Sequence, residues 1–455
     1  MARRAGLVPL FMLLGILICG AQIRAQAVPT QIAPPPSTDL SKLDSDALQW
    51  LQDLIRINTT NPPGNELAAA KYVSGVLQSE GIASETYEST PGRGFLVARL
   101  SSSAVPDPSR ALLLVAHLDA GTADKNMLAA NLAVFVGLKR SGARLDRDVI
   151  LLAEGDEEGG GAGMKFATEK YWDKIAAGYA LNEGGRIVLK DGEIRYVAVQ
   201  ASEKTPVTVD IIATGPSGSA SVPAADNAIV HLASAIEKIA AYEAPVQFNT
   251  VTTAYFEGLA SAEDEDTAKW MRALESSDRA DHAARWISSA NPEWNAMLRD
   301  TISPAMLQAG TSPSAVPPEA RGILEIGLLP GDAVDPLLAK LRELVNDPQV
   351  RFEEEPGAAE TAPSSSPSSG LYATIASVAT QQFPGAPIVP MMSPEATDST
   401  PLRMRGVQTY GLLPFPLADD ALSHAHGGDE RIPPDSFRQG IQFLYGIVSG
   451  FAAAK

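Results

Sequence analysis

An imidazole and a carboxylate directly follow an apolar run in the first third of this 455-residue chain. Residues 111–116 are all apolar, which is typical of a strand buried on both faces of a parallel sheet. His117 and Asp119 come next, so both side chains are expected at the carboxyl edge of that sheet. Because zinc accepts imidazole nitrogen and carboxylate oxygen as ligands, this strand end is a candidate part of a metal site.

Two further strand ends carry carboxylates. Residues 148–153 form a second buried strand that leads into Glu157 and Glu158, and a short strand at 177–181 leads into Glu183. The segment between the first two strands has apolar positions at helical spacing, which predicts a crossover helix. A right-handed crossover places both strand ends on one edge of the sheet, so these side chains are expected to converge.

The five histidines differ in their surroundings. His231 lies in an apolar helix and His282 in a charged one, so structural roles are favoured for both. His424 and His426 lie in a glycine-rich loop before the last helix, where a solvated loop is the simpler interpretation. Together with three acidic or imidazole-bearing strand ends, however, a late histidine completes a nitrogen and oxygen ligand set suited to zinc.

The length and charge of the chain limit its organisation and its partners. A chain of 455 residues exceeds what one hydrophobic core usually holds, so two domains are expected. The net charge of −18 and the absence of a basic stripe exclude a nucleic-acid partner.

Residues 1–27 have the features of a cleaved signal peptide. Two arginines precede an apolar segment at 7–19, and Ala25-Gln26-Ala27 resembles a cleavage site. A membrane anchor is the alternative, but the segment is shorter than the ~20 residues of a spanning helix. We expect a secreted or periplasmic protein with no membrane contact after cleavage. The only cysteine lies in this segment, so the mature chain has no disulfide.

The remaining chain divides into segments of different pattern. Residues 28–39 are rich in proline and form a spacer. The pattern of buried strands and helices over 40–204 resumes after a linker and continues over 357–455. Between them, 205–356 has strands with one wet face and helices predicted at 227–242 and 264–286. We therefore predict an α/β domain with an inserted α+β domain.

Six short stretches, taken in order, resemble the dinuclear zinc family of aminoacylase, acetylornithine deacetylase, succinyl-diaminopimelate desuccinylase and related carboxypeptidases. The stretches are 59–64, 116–119, 156–158, 182–184, 396–399 and 426–431. The resemblance implies a zinc-peptidase-like catalytic domain with a mixed, largely parallel sheet. It also implies that the inserted domain is ferredoxin-like, acts as a lid and joins two chains in a homodimer.

The resemblance also implies a set of metal ligands. His117 and Glu183 resemble the ligands of one zinc, and Glu158 and His426 resemble those of the other. The family bridges its two zincs with an aspartate, but the segment that carries it is shortened in this chain. Asp124 is one candidate for the bridge. If the family lysine is aligned with Lys125, Ala123 takes the bridging position and Asp124 is left as a helix N-cap.

Two acidic residues receive catalytic roles from the same resemblance. Glu157 resembles the general base that accepts a proton from water, and Asp119 resembles the residue that orients His117. The adjacent glutamates Glu157 and Glu158 can have separate roles, because one carboxylate can hold metal while the other accepts and returns a proton.

Several substrate-binding positions of the family are changed. Ser219 stands where the family has a histidine, Gly327 where it has the arginine for the substrate carboxylate, and Pro394-Glu395 where it has Thr-Gly. The stretch 314–317 lacks the usual preceding asparagine. Such losses each cost roughly 10²- to 10³-fold in rate. Arginines that could substitute are Arg321, Arg403 and Arg405.

The sequence thus predicts a zinc-dependent hydrolase that cleaves an amide bond of a peptide or an N-acyl amino acid. One or two zinc ions are expected, and at most one is bound tightly if Asp124 does not bridge. The alternative is a catalytically inactive relative that acts as a binding protein.

Overall fold

The computed structural model describes residues 40–119, 125–274, 276, 278–354, 361–418, 421 and 431–454. The predicted signal peptide, the spacer, Asp124, His424 and His426 lie outside these residues. Within them, no helix combines the length and the hydropathy that a membrane span requires.

The larger of the two main sheets has ten strands, which are numbered along the chain. They are β1 (Ser84–Thr90), β2 (Arg93–Leu100), β3 (Leu112–His117), β4 (Val149–Glu154), β5 (Tyr179–Asn182), β6 (Arg186–Lys190), β7 (Glu193–Glu203), β14 (Ile388–Ser393), β15 (Gln408–Gly411) and β16 (Pro416–Ala418). Their order is β1-β2-β4-β3-β5-β15-β7-β6-β16, and β14 pairs with β7. The central pairs β4-β3, β3-β5 and β5-β15 are parallel, whereas β1-β2, β2-β4 and β6-β7 are antiparallel. This mixed sheet confirms the predicted α/β class.

The large sheet is buried on both faces, as the apolar runs predicted. Alternate residues of β3 belong to separate cores, with Leu112 and Leu114 on one face and Leu113 and Val115 on the other. The helices of the first face are α1 (Leu40–Arg56), α2 (Glu66–Ser79), α3 (Asn126–Arg140), α12 (Gly370–Gln382) and α14 (Pro434–Ala452). Those of the second are α4 (Ala162–Lys170), α5 (Trp172–Ile175) and α13 (Ser399–Met404).

The second main sheet is entirely antiparallel. Its strands are β8 (Thr205–Thr214), β10 (Thr301–Ala309), β12 (Glu319–Leu328) and β13 (Val350–Glu354), in the order β10-β12-β8-β13. Helices α6 (Ala228–Ala240) and α11 (Val334–Val345) share one hydrophobic core with it. This strand and helix succession is the ferredoxin-like arrangement. A short ribbon of β9 (Gly218–Ser219) and β11 (Ala315–Val316) extends from it.

Four helices of the inserted segment pack on the large sheet instead. They are α7 (Thr250–Leu259), α8 (Glu265–Ala273), α9 (Ala280–Ala290) and α10 (Pro292–Leu298), and their buried residues belong to the first core of the large sheet. The segment 264–286, predicted to be helical, contains α8 and most of α9, and the backbone carbonyl of Ser276 accepts hydrogen bonds from the start of α9. Since these helices share that core, the domain boundaries 205–356 stay a prediction.

Candidate functional site

Three parallel strands bring their last residues to one edge of the large sheet. His117 ends β3 and pairs in register with Glu154, which ends β4. Asn182 ends β5, the other neighbour of β3, and Glu183 follows it. The convergence of strand ends expected from the sequence is therefore found in the structure.

His117 and Glu183 meet as a metal-ligand pair would. His117 Nε2 lies 3.0 Å from Glu183 Oε2, and the imidazole is buried. Zn–N and Zn–O bonds of ~2.0–2.2 Å place two ligands of a tetrahedral ion roughly 3.4 Å apart, so these two atoms, which lie at hydrogen-bond distance, would move slightly apart to share a zinc. On the other side of the ring, Nδ1 lies 2.6 Å from the carbonyl oxygen of Asp119. An Nδ1–H donated to that carbonyl leaves Nε2 with its lone pair for a metal.

Asp119 holds the turn that carries the adjacent glutamates. Its carboxylate is fully buried, and its two oxygens accept hydrogen bonds of 3.1 Å from the backbone N–H groups of Glu157 and Glu158. The same carboxylate is 3.7 Å from His117 Nδ1, too far for a hydrogen bond. Burial acts to raise the pKa of Asp119, but contacts with His117 and the Glu157 N–H bring it below its ordinary value. Asp119 therefore orients His117 through its backbone carbonyl and the glutamates through its carboxylate.

A partly buried arginine fixes the other side of this turn. Asp156, which precedes Glu157, has a backbone φ of 74°, a conformation that residues other than glycine rarely adopt. Arg93 forms an ion pair with Asp156 and donates bidentate hydrogen bonds of 2.8 and 3.0 Å to the fully buried Glu66. Asn61 Nδ2 donates to Asp156 Oδ1 at 2.7 Å. The early loop that contains Asn61 thus supports the glutamate-bearing turn.

The edge also gathers carboxyl groups that face one another. Burial, and then the charges of Glu183 and Asp398, raise the pKa of Glu157 to about 9. Burial, and then the charge of Asp398, raise the pKa of Glu154 well above its ordinary value. Burial likewise raises the pKa of Asp398 to about 7. Among the described residues, Glu154 receives no hydrogen bond from an N–H or alcohol group, and its hydrogen-bonding neighbour is the carboxyl group of Asp398. An excess of buried carboxylates beside one imidazole fits a site that holds a cation.

Neither Glu154 nor Asp398 was predicted from the sequence to be a site residue. Glu154 directly follows the apolar run 149–153, the position that His117 has after its own run, so the same signal would have found it. Asp398 lies in the stretch 396–399 that carries the resemblance, but without a role.

The structure tests the predicted ligand set only in part. Glu158 lies in the same turn as Glu157, and Asp124 and His426 lie outside the described residues. Within the described part of the chain, no group of three or more acidic, histidine or cysteine side chains is arranged to hold a metal ion. The ligand assignments, that of the His117 and Glu183 pair included, stay predictions.

Lys125 does not belong to the site. Its ammonium is buried and donates to the carbonyls of Leu54 and Ile57 at the end of α1, at 3.0 and 2.7 Å. It therefore caps a helix.

A cavity of about 530 Å³ opens beside Glu183. Two of the residues that line this cavity, Arg186 and Arg431, are positively charged. The three arginines suggested from the sequence do not line it. Arg403 is buried against Glu203 at 3.2 Å, which removes it as a substrate ligand.

The position of the missing family arginine is covered by a lysine. A Cβ added to Gly327 would lie 3.0 Å from Cε and 3.2 Å from Nζ of Lys204. Lys204 is buried, and its ammonium donates to Arg299 O and Thr301 Oγ1 at 2.9 and 2.8 Å. The space above Gly327 is thus filled by the chain itself.

Comparison with known proteins agrees with this geometry. The model of peptidase family M20/M25/M40 matches residues 120–450. The chain is similar to probable carboxypeptidase S-like 2 of Dictyostelium discoideum, with 24% identity over 71% of this chain and 63% of that protein. It is also similar to the N-fatty-acyl-amino acid synthase/hydrolase PM20D1 of Xenopus tropicalis, with 24% identity over 71% of this chain and 64% of the relative. The match therefore spans less than two thirds of these curated relatives.

Solved structures share the fold at low sequence identity. The M20 family metallo-carboxypeptidase Sso-CP2 of Sulfolobus solfataricus has a TM-score of 0.65 and 16% identity, over 89% of this chain and 99% of that one. The YXEP protein of Bacillus subtilis, described as a dinuclear metal binding peptidase, has a TM-score of 0.59 and 12% identity, over 90% and 98%.

Proposed function

The chain belongs to peptidase family M20/M25/M40, a family of metal-dependent peptidases, and we propose that it hydrolyses an amide bond of a peptide or an N-acyl amino acid. The observation that carries this proposal is the meeting of His117 Nε2 and Glu183 Oε2 at 3.0 Å, beside Glu157 and the cavity. We further propose zinc as the metal, because imidazole and carboxylate ligands suit it. Predicted ligands besides this pair are Glu158, His426 and Asp124.

Each residue has a task that follows from its contacts. His117 and Glu183, with the predicted ligands Glu158, His426 and Asp124, would hold a zinc ion, which would supply Lewis acidity for polarising a carbonyl and activating water. A cation there would also offset the negative charges that raise the pKa of Glu157, so this carboxylate, which is not one of the predicted ligands, could accept and return a proton. Asp119 holds Glu157 in place through the backbone N–H. The carbonyl of Asp119 fixes His117 in the tautomer that presents Nε2 to the metal.

Export and dimerisation belong to the same proposal. The features of residues 1–27 support a secreted or periplasmic location. The exposed apolar side chains Met306 and Leu307 on β10, an edge strand of the small sheet, support a homodimer through this region.

The test combines zinc content with hydrolysis. Purified protein is expected to bind zinc and to cleave members of a panel of dipeptides and N-acyl amino acids. Glu157→Gln should lower kcat about 10²- to 10⁴-fold with zinc content unchanged, because its task is proton transfer. Glu193→Gln, on the exposed end of β7, is the matched control and should keep full activity.

Zinc binding without hydrolysis of any panel member would contradict the enzyme proposal and favour the binding-protein alternative. A Glu157→Gln variant that loses its zinc would contradict the role of Glu157.

A further inference from the structure

A rigid glycine turn connects the site to a cation in the cavity wall. Gly184 and Gly185 separate Glu183 from Arg186, and both have positive φ, at 111° and 63°. A Cβ on either would clash with Gln200 Oε1 at 1.7 Å or with a backbone oxygen at 2.3 Å. Three residues span at most about 10 Å, so the Arg186 backbone lies within a dipeptide's length of that of Glu183.

The guanidinium of Arg186 is only partly satisfied by the protein. It forms an ion pair with Glu293 of α10, and Nη2 also lies 3.8 Å from the sulfur of Met391. All its hydrogen bonds to described residues come from Nη2, and Nε is buried without an acceptor. Its side chain is 22% exposed, and it lines the cavity. A partly buried guanidinium with unused donors favours a ligand that brings acceptor oxygens.

The rest of the cavity wall favours an amino-acid derivative. Met391, Leu413, Leu417 and Ile432 supply apolar surface around the ion pair. A guanidinium fork fits a carboxylate through paired hydrogen bonds, and an apolar wall fits an aliphatic or aromatic side chain.

We propose that Arg186 is a specificity-determining residue that binds the free carboxylate of the substrate, and that Glu293 competes with that carboxylate for the guanidinium. This inference rests on the proposed hydrolase function. It gives the chain a carboxylate-binding residue on the large sheet, in place of an arginine at the covered Gly327.

If Glu293 competes with the substrate carboxylate, substitutions of Arg186 and Glu293 should change carboxylate binding in opposite directions. Arg186→Ala removes the cation and should weaken carboxylate binding. Glu293→Gln removes the internal competitor and should strengthen it. If the ion pair of Arg186 and Glu293 were only structural, loss of either residue would disturb the cavity wall and weaken carboxylate binding in both variants.

The experiment measures binding without turnover. N-acetyl-L-leucine and its carboxamide, N-acetyl-L-leucinamide, are titrated calorimetrically into the full chain after removal of metal with a chelator. The wild type is expected to prefer the acid at least tenfold. Arg186→Ala should abolish that preference, Arg186→Lys should keep part of it, and Glu293→Gln should tighten acid binding severalfold. Arg110→Ala, next to the opposite end of β3, is the matched control and should behave as wild type.

Three results would overturn the inference: no preference for the acid in the wild type, a preference that survives Arg186→Ala but is lost in Arg431→Ala, or weaker acid binding by Glu293→Gln. Circular dichroism confirms that each variant is folded. Because binding is measured without metal, a preference governed by Arg186 would stand even if no amide were hydrolysed, which separates this inference from the proposed function.

Discussion

The ionisable groups near the two main sheets differ in how completely they are paired with groups of opposite charge. At the edge of the large sheet, Glu154 and Asp398 are buried beside the partly buried Glu157, and desolvation raises the pKa of each. On the small sheet, His231 of α6 lies between two carboxylates. Its Nδ1 is 2.6 Å from Asp347 and its Nε2 is 3.0 Å from Asp226. The first cluster has more carboxyl groups than cationic partners, whereas in the second each imidazole nitrogen has a carboxylate partner.

The difference indicates which cluster needs a ligand. Carboxylates that are buried without partners are costly unless a proton or a cation neutralises them. A histidine that is hydrogen-bonded on both nitrogens is already satisfied and has no lone pair left for a metal. We infer that charge balance, more than the number of acidic side chains, distinguishes a functional cluster from a structural one in this molecule.

The largest expected effect concerns a buried cluster that is balanced. Glu203 pairs with Arg403 and accepts hydrogen bonds from Gln200, Thr397 and Thr400 at 2.6 to 2.8 Å. Glu203→Gln leaves the buried guanidinium uncompensated and should lower the free energy of unfolding by about 3–5 kcal/mol. Chemical denaturation at pH 7 measures this.

The exposed pair of Glu353 and Arg351 provides the control for that experiment. Glu353→Gln should cost less than ~1 kcal/mol, because exposed ion pairs are screened by water. Equal losses in the two variants would show that burial of the Glu203 cluster is energetically unimportant.

The next effect tests the cation at the large sheet. Adding zinc to metal-free protein should stabilise it by about 2.7 kcal/mol at a free zinc concentration 100-fold above Kd. Thermal unfolding with and without zinc provides the measurement. His117→Asn should reduce the gain, because it removes a predicted ligand. His231→Asn should leave the gain unchanged, and a reduced gain in that variant would contradict the contrast between the two clusters.

The smallest effect is a pH dependence at the small sheet. The hydrogen bond to Asp347, and then that to Asp226, raise the pKa of His231 above its ordinary value. A raised folded-state pKa gives stabilisation that is complete below the unfolded value of ~6.5 and is lost as pH rises through the folded value. His231→Asn should remove this component, which is at most about 1 kcal/mol at a partly exposed site.

Unfolding midpoints of wild type and His231→Asn at several pH values between about 6 and 9 check this prediction. The midpoints should differ most at the acidic end and approach each other as pH rises. A difference that grows with pH would contradict the proposed pairing.

The sequence by itself determined the large sheet and the approximate position of the site. The apolar runs before His117 and Glu154 predict buried parallel strands, and neighbouring parallel strands must end at the same edge. His117 and Glu183 could therefore be brought together without a structure, and so could the turn that contains Glu157. Local patterns sufficed because each side chain is placed by the strand it follows.

Only the tertiary structure decided which polar groups are partners. Arg186 and Glu293 are 107 residues apart, and Lys204, between β7 and β8, covers Gly327 of β12. Strand β10 was not predicted. It contains Pro304 and most of its side chains are exposed, so it lacks the alternating hydrophobic pattern by which a strand is recognised. An edge strand can contain both features. Hydrophobic periodicity records which face of an element is buried. It carries no information about which distant residue supplies the opposite charge, because that depends on how the elements pack.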